Sequence, residues 1–534
     1  MSSRFALSNR QIARAALVVV LGFLASGALG LLRTAIFSVT FGAGDALDAY
    51  YAAQRIPETL YVLVAGGALG SSFIPIFARF LANDDSEGAW RLASAVMTCA
   101  GLAAAGLAGL LALLAPLYVP TLLIPGATPE IAALTTGLTQ VMLVTVILFS
   151  ISGLLMGILN ARQLFALPAL ALSMNNIGQI VGALLLVPLL PFEGDARVYG
   201  LAYGAVLGAL LHLLVQLPGL RQVGARLRFL PQPRTPGLFE VLRLMGPRVL
   251  GLAVVQINFL VNVNLTSGML PGSRTALVTA WTLMFFALGL IGQSVGTAIF
   301  PSLSALAAAD DMLAYKDRLA NALRGVLFLA FPATVVLMLL GETGIAIAFE
   351  YGSWTAEHTT ATAWALTFFA VGVAGHGLLE VLARAFYALA DTRTPVLVGL
   401  IAMVANIALS LLFIRLMGDP ASLARGPFAG LALANSLTTL LEGLALWWLL
   451  RRRIGPINDG YVLGGAGRAL AAALGMGVVI WLMLGLSAGW NLIAAALITT
   501  AAGGLAFFAL ALALGLPEAR AVPGVVLRRV RGGS

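Results

Sequence analysis

Charge is scarce in this chain. Only 10% of its 534 residues are Asp, Glu, Lys or Arg, against about 25% in a soluble globular protein. That shortage argues against a soluble domain of this length. Cysteine is reduced to Cys99, which rules out an internal disulfide framework and a cysteine-based metal site. The three histidines, His212, His358 and His376, are scattered along the chain, which argues against a histidine metal centre. No Gly-rich loop ending in Lys-Ser/Thr is present, so the sequence offers no nucleotide-phosphate cradle. No cofactor is expected.

Apolar residues make up 60% of the chain and fall in long runs. About 20 residues of helix cross a hydrocarbon core of about 30 Å. In lipid the backbone must satisfy its own hydrogen bonds, so these runs are expected to be helices. The 59 glycines suit close helix packing. The first run, from about Ala15, is too long for a signal peptide's apolar region. No small-residue cleavage site leads from it into a polar domain, so it is read as a retained first helix. The expectation is an all-α polytopic membrane protein with about fourteen spans. Six lie near 15–40, 46–80, 93–122, 131–160, 164–190 and 198–220. Six more lie near 240–267, 275–305, 319–347, 360–388, 394–416 and 427–450, and the last two near 466–487 and 491–515.

With the N-terminus inside and sides alternating, the inner segments and the inner ends of the spans hold 25 of the 31 basic residues. Outer loops keep Arg197, Arg274, Arg415 and Arg425, while Arg33 and Arg55 lie within spans. This positive-inside asymmetry predicts an even number of spans with both termini in the cytoplasm. The net charge of +9 is assigned to such arginines beside anionic headgroups rather than to nucleic acid. Membrane lipids are therefore the expected surroundings.

A shift of 226 or 227 residues aligns two halves. Gly66, Gly70 and Pro75 fall on Gly292, Gly296 and Pro301; Asp84-Asp85 falls on Asp310-Asp311, and Pro168 on Pro395. Six helices is an even number, so the halves share one orientation, a parallel repeat. The predicted division is a six-helix lobe over 1–225, a cytoplasmic link over 226–239, a second six-helix lobe over 240–455, and two extra helices with a basic tail over 456–534. Gly66, Gly70, Gly292 and Gly296 permit either bending or close packing.

Several charged or polar residues fall inside predicted spans. An unpaired Arg at the bilayer centre costs about 2.5–3.5 kcal/mol on insertion scales. Arg33 must therefore meet an aqueous cavity or a carboxylate, or reach the headgroups. Arg55, just before Pro57, either faces a cavity or pairs with Glu58. Asp48 is either part of an outer gate or a cap of the second span. Glu380 and Arg384, four apart, share a helix face as an ion pair or a gate. Glu442 has no basic neighbour in its span and is a candidate coupling residue. Gln256, Asn258, Asn262 and Asn264 make the seventh span polar, suiting a cavity wall, a cation site or interhelical hydrogen bonds. His212 and His376 read as satisfied core histidines.

Phe41-Gly42-Ala43-Gly44 with Asp48-Ala49-Tyr50, and Phe73-Ile74-Pro75-Ile76, resemble motifs of the MurJ/MviN-type lipid II flippases. So do Gln216-Leu217-Pro218, Met245-Gly246-Pro247 with Gln256-Ile257, Phe386-Tyr387-Ala388, and Asp391-Thr392-Arg393-Thr394-Pro395. The resemblance spans about residues 15–450 in order. It implies the fold of the multidrug/oligosaccharidyl-lipid/polysaccharide exporter superfamily and fourteen helices. It also implies a cavity for the pyrophosphate and sugar of lipid II, with helices 13 and 14 holding the polyprenyl tail. It implies a transporter, not an enzyme, serving cell-wall synthesis beside other proteins of that process. Arg33 matches one of the family's cavity arginines. The others fall on Gly27, Tyr61 or Val62, and Thr282, and an acidic position falls on Gly66. Most of the cationic lining is thus absent.

Four functions compete at this point: a saccharide-lipid flippase, an ion-coupled exporter of drugs or another saccharide lipid, a polyprenyl-dependent glycosyltransferase, and a non-transporting scaffold. An exporter of cations needs cavity carboxylates, for which only Glu442 and Asp48 qualify. The glycosyltransferase would lean on Asp45 and Asp48 but lacks sizeable outer loops.

Overall fold

The computed structural model describes residues 9–63, 70–232, 234–289, 294–487 and 489–520. Among these the chain forms helices and no strands. The first half contains α1 (Asn9–Phe41), α2 (Asp45–Tyr61), α3 (Gly70–Ala82), α4 (Ser86–Tyr118), α5 (Pro129–Met142), α6 (Val144–Ala161), α7 (Ala166–Val181) and α8 (Tyr199–Leu214). Then come α9 (Leu238–Thr266), α10 (Ser273–Leu288), α11 (Ser294–Ala308), α12 (Met312–Phe349), α13 (Ala356–Val371) and α14 (Val373–Ala388). The last are α15 (Arg393–Leu416), α16 (Ala429–Ile454), α17 (Asp459–Leu486) and α18 (Leu492–Ala513).

Ten helical stretches among the described residues are long and apolar enough to cross a membrane. An eleventh is the pair α13–α14, bent by 43°. The expected second, seventh and eighth spans are not among them. The second and eighth correspond to α2 with α3 and α10 with α11, and each of these pairs is separated by residues outside the described set. The seventh, α9, carries Gln256, Asn258, Asn262 and Asn264.

The chain divides into two compact units, Met1–Thr275 and Ala276–Ser534. The sequence repeat places α9 at the head of the second lobe. Its packing places it with the first unit, against α2, α3 and α4. Leu238 and Val241 are buried in the core that contains Phe73, Phe77 and Trp90. Arg79 of α3 makes a bidentate ion pair with Glu240, and Asn264 Nδ2 donates to the Leu122 carbonyl at 2.7 Å. The segment 226–239 is not a free tether. Backbone N–H groups of Arg228 and Leu230 donate to Ser94 Oγ (3.1 Å) and Thr98 Oγ1 (2.9 Å) of α4.

The repeat recurs in backbone detail. Asp84 and Asp310 both take the left-handed conformation, with φ of 58° and 55°. The next residues, Asp85 and Asp311, cap α4 and α12 by accepting from the N–H three residues on, at 2.8 Å and 3.1 Å. Such caps satisfy donors that a helix start leaves open. Further along, Gln163 (63°) and Ala390 (56°) again share a positive φ, ahead of α7 and α15.

Inside the first unit, α7 packs on α8 through glycines. A Cβ at Gly178 would strike the backbone of Gly208, and one at Gly182 the backbone of Gly204. In the second unit, α17 and α18 pack on α12 through Phe328, Leu340, Met476, Ile480 and Phe507. Arg324 of α12 is buried, binds both carboxylate oxygens of Glu518 (2.7 and 3.0 Å) and stacks on the Tyr461 ring at 4.0 Å.

Candidate functional site

Arg33 lies late in α1, half-buried, with its guanidinium 5.9 Å from the Phe37 ring centroid. Its Nη1 reaches Gln179 Oε1 of α7 by a long hydrogen bond of 3.5 Å. The same amide oxygen accepts from Tyr50 Oη at 3.1 Å, and Gln179 Nε2 donates to Asn175 Oδ1 at 3.3 Å. Arg33 Nε is buried without a hydrogen-bond partner, and no carboxylate pairs with Arg33 among the described residues. Its charge is therefore held by neutral dipoles alone.

Asp48 does not neutralise it. The Asp48 carboxylate is buried and accepts from the backbone N–H of Gly272 (2.9 Å) and Thr275 (2.7 Å) and from Thr275 Oγ1 (2.6 Å). It caps the start of α10 from α2, rather than capping its own helix. Buried Arg274 completes the arrangement. It donates to the Asp48 carbonyl (2.8 Å), the Val263 carbonyl (3.1 Å) and Thr266 Oγ1 (3.2 Å). An anion at a helix start and a cation at a helix end both complement the helix dipoles. With its oxygens so engaged, Asp48 has a structural occupation. Arg274, counted from sequence as an outer-loop charge, is part of it.

Arg55 pairs with Glu58 at 3.2 Å and lies over the Phe259 ring of α9 at 4.8 Å. One turn on, Thr59 Oγ1 donates to Gln256 Oε1 at 3.4 Å, both buried. Asn258 Oδ1 and Asn262 Oδ1 are buried without hydrogen-bond partners. α9 thus keeps two unsatisfied amide oxygens, one and three residues from Phe259 in the sequence.

In the second unit, Glu380 and Arg384 form an i,i+4 ion pair at 2.6 Å on α14. Glu442 sits at the middle of α16, beside Gly399 of α15, with no salt bridge among the described residues. His376 Nε2 meets Asn435 Oδ1 at 3.3 Å, and its ring packs edge-on to Trp281 (5.9 Å) and Phe285 (5.6 Å) of α10. His212 is buried against Ser152 Oγ at 2.6 Å. At the positions where arginines are implied by the resemblance, Tyr61 packs on Phe149 at 4.6 Å and Thr282 bonds its own helix at the Val278 carbonyl. Of the four glycines, Gly70 and Gly296 lie at the starts of α3 and α11, while Gly66 and Gly292 lie outside the described residues. Among the described residues no group of His, Cys, Asp and Glu could hold a metal ion.

Sequence reasoning missed Tyr50, Asn175 and Gln179 as the surroundings of Arg33. The polar spacing Asn175–Gln179 in an apolar span was the available signal.

The family model for the lipid II flippase MurJ matches residues 37–500. The chain is 32% identical over 456 residues to the lipid II flippase MurJ of Burkholderia cenocepacia, covering 82% of this chain and 84% of that one. It is 30% identical over 465 residues to a probable lipid II flippase MurJ of Thermotoga maritima, covering 87% and 89%. Among solved structures, it superposes on a lipid II flippase MurJ in an inward closed conformation with a TM-score of 0.77 at 24% identity, covering 93% and 98%. It also superposes on an inward-facing multidrug resistance MATE family transporter of the MOP superfamily, with a TM-score of 0.66 at 15% identity, covering 83% and 96%. These structural likenesses concern the fold.

Proposed function

The chain belongs to the MurJ family of lipid II flippases, and from that premise we propose that it flips a polyprenyl-pyrophosphate-linked saccharide, lipid II foremost, from the inner to the outer leaflet. The observation that carries the headgroup reading is Arg33, a guanidinium inside a span with amide and phenol partners but no carboxylate. Pyrophosphate supplies the missing anion, and the planar fork of Arg suits it. Arg55 is a second phosphate contact, held in place by Glu58 and Phe259. Asp48 contributes by fixing the starts of α2 and α10 rather than by touching substrate.

Transport proceeds by alternating access, with bending at Gly70 and Gly296. Glu380, Arg384, Glu442, Gln256 and Asn262 are assigned to gating or coupling. An inside-negative potential favours outward movement of a net-anionic headgroup. Both termini lie in the cytoplasm, and proteins of cell-wall synthesis are the partners that would consume the delivered lipid.

Native mass spectrometry of the purified protein with lipid II, undecaprenyl phosphate and cardiolipin tests this. Selective binding of lipid II, lost in Arg33→Ala, is expected. Equal binding of all three lipids, unchanged in the variant, rejects lipid II as the specific cargo.

A further inference from the structure

Arg33 meets α7 in a polar seam of the first unit, and its partner there is an amide. About two turns earlier on α1, Ser26 offers its carbonyl (3.1 Å) and its Oγ (3.2 Å) to Asn176 Nδ2 of α7. Gln179 follows Asn176 by three residues, on the same side of the helix, and takes Arg33 Nη1 at 3.5 Å. The Ser26–Asn176 bonds hold α1 on α7 without help from the guanidinium.

Gln179 is buried, and both ends of its amide are specified. Its Oε1 accepts from Tyr50 Oη at 3.1 Å as well as from Arg33, which uses both lone pairs of that oxygen. Its Nε2 donates to Asn175 Oδ1 at 3.3 Å, one turn back on α7. A guanidinium carries donors only, so the amide meets Arg33 with its oxygen. Tyr50 is itself fixed: it is fully buried and packs edge-on to Phe37, with ring centroids 5.5 Å apart and planes at 89°. The oxygen that receives Arg33 is therefore held from two sides, while Arg33 is held by one long bond.

A carboxylate of the same length would fill this position with little change of shape. It would close a charge-assisted pair with Arg33, about twice as strong as a neutral hydrogen bond, and leave no net charge for a ligand. The amide does the reverse. It orients the guanidinium weakly and leaves the charge whole, since Arg does not lose its proton.

We propose that Gln179 is the positioning residue for Arg33, a neutral acceptor whose lack of charge lets Arg33 take an anionic phosphate. The inference rests on the reading of Arg33 as the headgroup contact and deepens it: the residue at position 179 decides whether the site accepts an anion. When phosphate arrives, the long Nη1 bond yields to a phosphate oxygen, and Tyr50 keeps Gln179 in place.

The test measures binding of undecaprenyl pyrophosphate and of undecaprenol to the full-length protein, in wild type, Arg33→Ala, Gln179→Glu and Asn175→Asp, with the melting temperature of each. The alcohol shares the tail and lacks the charge. Gln179→Glu is expected to weaken the pyrophosphate about tenfold. The loss should be at least that of Arg33→Ala, because the variant neutralises the guanidinium and sets an anion against the ligand. Binding of the alcohol should stay within about twofold. The melting temperature should equal or exceed that of wild type, since the carboxylate keeps the bond from Tyr50 and gains a pair with Arg33. A purely structural Gln179 would instead lose binding and stability together. Asn175→Asp puts the same charge one turn back and should weaken the pyrophosphate about threefold. If Gln179→Glu binds the pyrophosphate like wild type while Arg33→Ala does not, this inference falls and the headgroup reading stands. If Arg33→Ala also binds it like wild type, both fall. Should Gln179→Glu melt early, Asn175→Asp decides by the same comparison. Early melting of both variants makes the network part of the fold and overturns the positioning role.

Discussion

Asp48 and Arg33 are separated by fifteen positions and stand in opposite situations. The Asp48 carboxylate takes three hydrogen bonds from the first turn of α10. Arg33 has one long bond to a neutral amide. Removing one partner of a buried network leaves the others unsatisfied, which costs more than the bonds themselves contribute. Asp48→Ala should therefore destabilise the purified protein by about 2–4 kcal/mol, since two backbone N–H groups lose their acceptor and Arg274 loses its neighbouring anion. Arg33→Ala should change stability by about 1 kcal/mol or less, in line with a single weak hydrogen bond. Thermal unfolding in detergent compares them. If Arg33→Ala proves as damaging as Asp48→Ala, Arg33 is a structural residue and the pyrophosphate assignment loses its support. Both residues stood out in the sequence as charges in apolar runs. Their partners did not. Asp48 and Arg274 lie one repeat length apart, and Arg274 reads from sequence as an ordinary loop charge. No local pattern discloses that two repeat-related positions meet as cap and counter-cap.

Helices in these units are held by two devices, caps and glycine seams, and each gives a measurable expectation. Asp391 accepts from the N–H groups of Arg393 (3.1 Å) and Thr394 (3.0 Å) and from Thr394 Oγ1 at the start of α15. Arg453 pairs with it from the end of α16. Partial burial opposes ionisation of Asp391, but the Thr394 bonds and the Arg453 guanidinium outweigh it and hold the carboxyl below its ordinary value. A depressed folded-state value means stability that is present above the unfolded value of 3.8 and is lost as pH falls through the lower folded value. Asn caps a helix about as well as Asp, so wild type should out-melt Asp391→Asn at neutral pH only by the worth of the charge and its exposed Arg453 pair, about 0.2–1 kcal/mol. The gap should close in acid below 3.8. A gap independent of pH would mean that the carboxylate's charge contributes nothing. The seam between α7 and α8 works by absence of side chains. Gly178→Val and Gly204→Val should sharply lower the melting temperature or expression, because each new Cβ meets facing backbone. Gly106→Val, with nothing within 4 Å of its added Cβ, should leave both unchanged and serves as the control. At this scale most elements were legible, because long apolar runs allow little but helix. The expected second, seventh and eighth spans were the least regular: Pro57, Gly-rich breaks and the amides of α9 interrupt the apolar signal there.

For the whole molecule, the strongest argument from sequence concerns sidedness. Arginine placement by the positive-inside rule predicts both termini in the cytoplasm, and the even six-helix repeat predicts that the two halves share one orientation. The two are independent: one counts charges in loops and the other counts helices between matching motifs. The caps at Asp85 and Asp311, each preceded by a left-handed Asp, show that the matching motifs fold alike. Equivalent capped loops after an even number of crossings must open on the same face of the membrane. Site-directed labelling in a Cys99→Ser background can decide the point. Gln222 is exposed after α8, and Ala421 is exposed between α15 and α16. With a membrane-impermeant maleimide on intact cells, Ala421→Cys should label at once and Gln222→Cys only after permeabilisation. The reverse pattern would invert the protein and place the Arg221–Arg234 segment outside, contrary to the charge rule. Labelling of both from the same side would break the alternation, since five crossings were predicted between these positions. It would mean that one of the irregular pairs, α10 with α11, does not traverse the bilayer. The parallel relation of the repeats, and with it an alternating-access cycle built on two like-oriented halves, would then have to be abandoned.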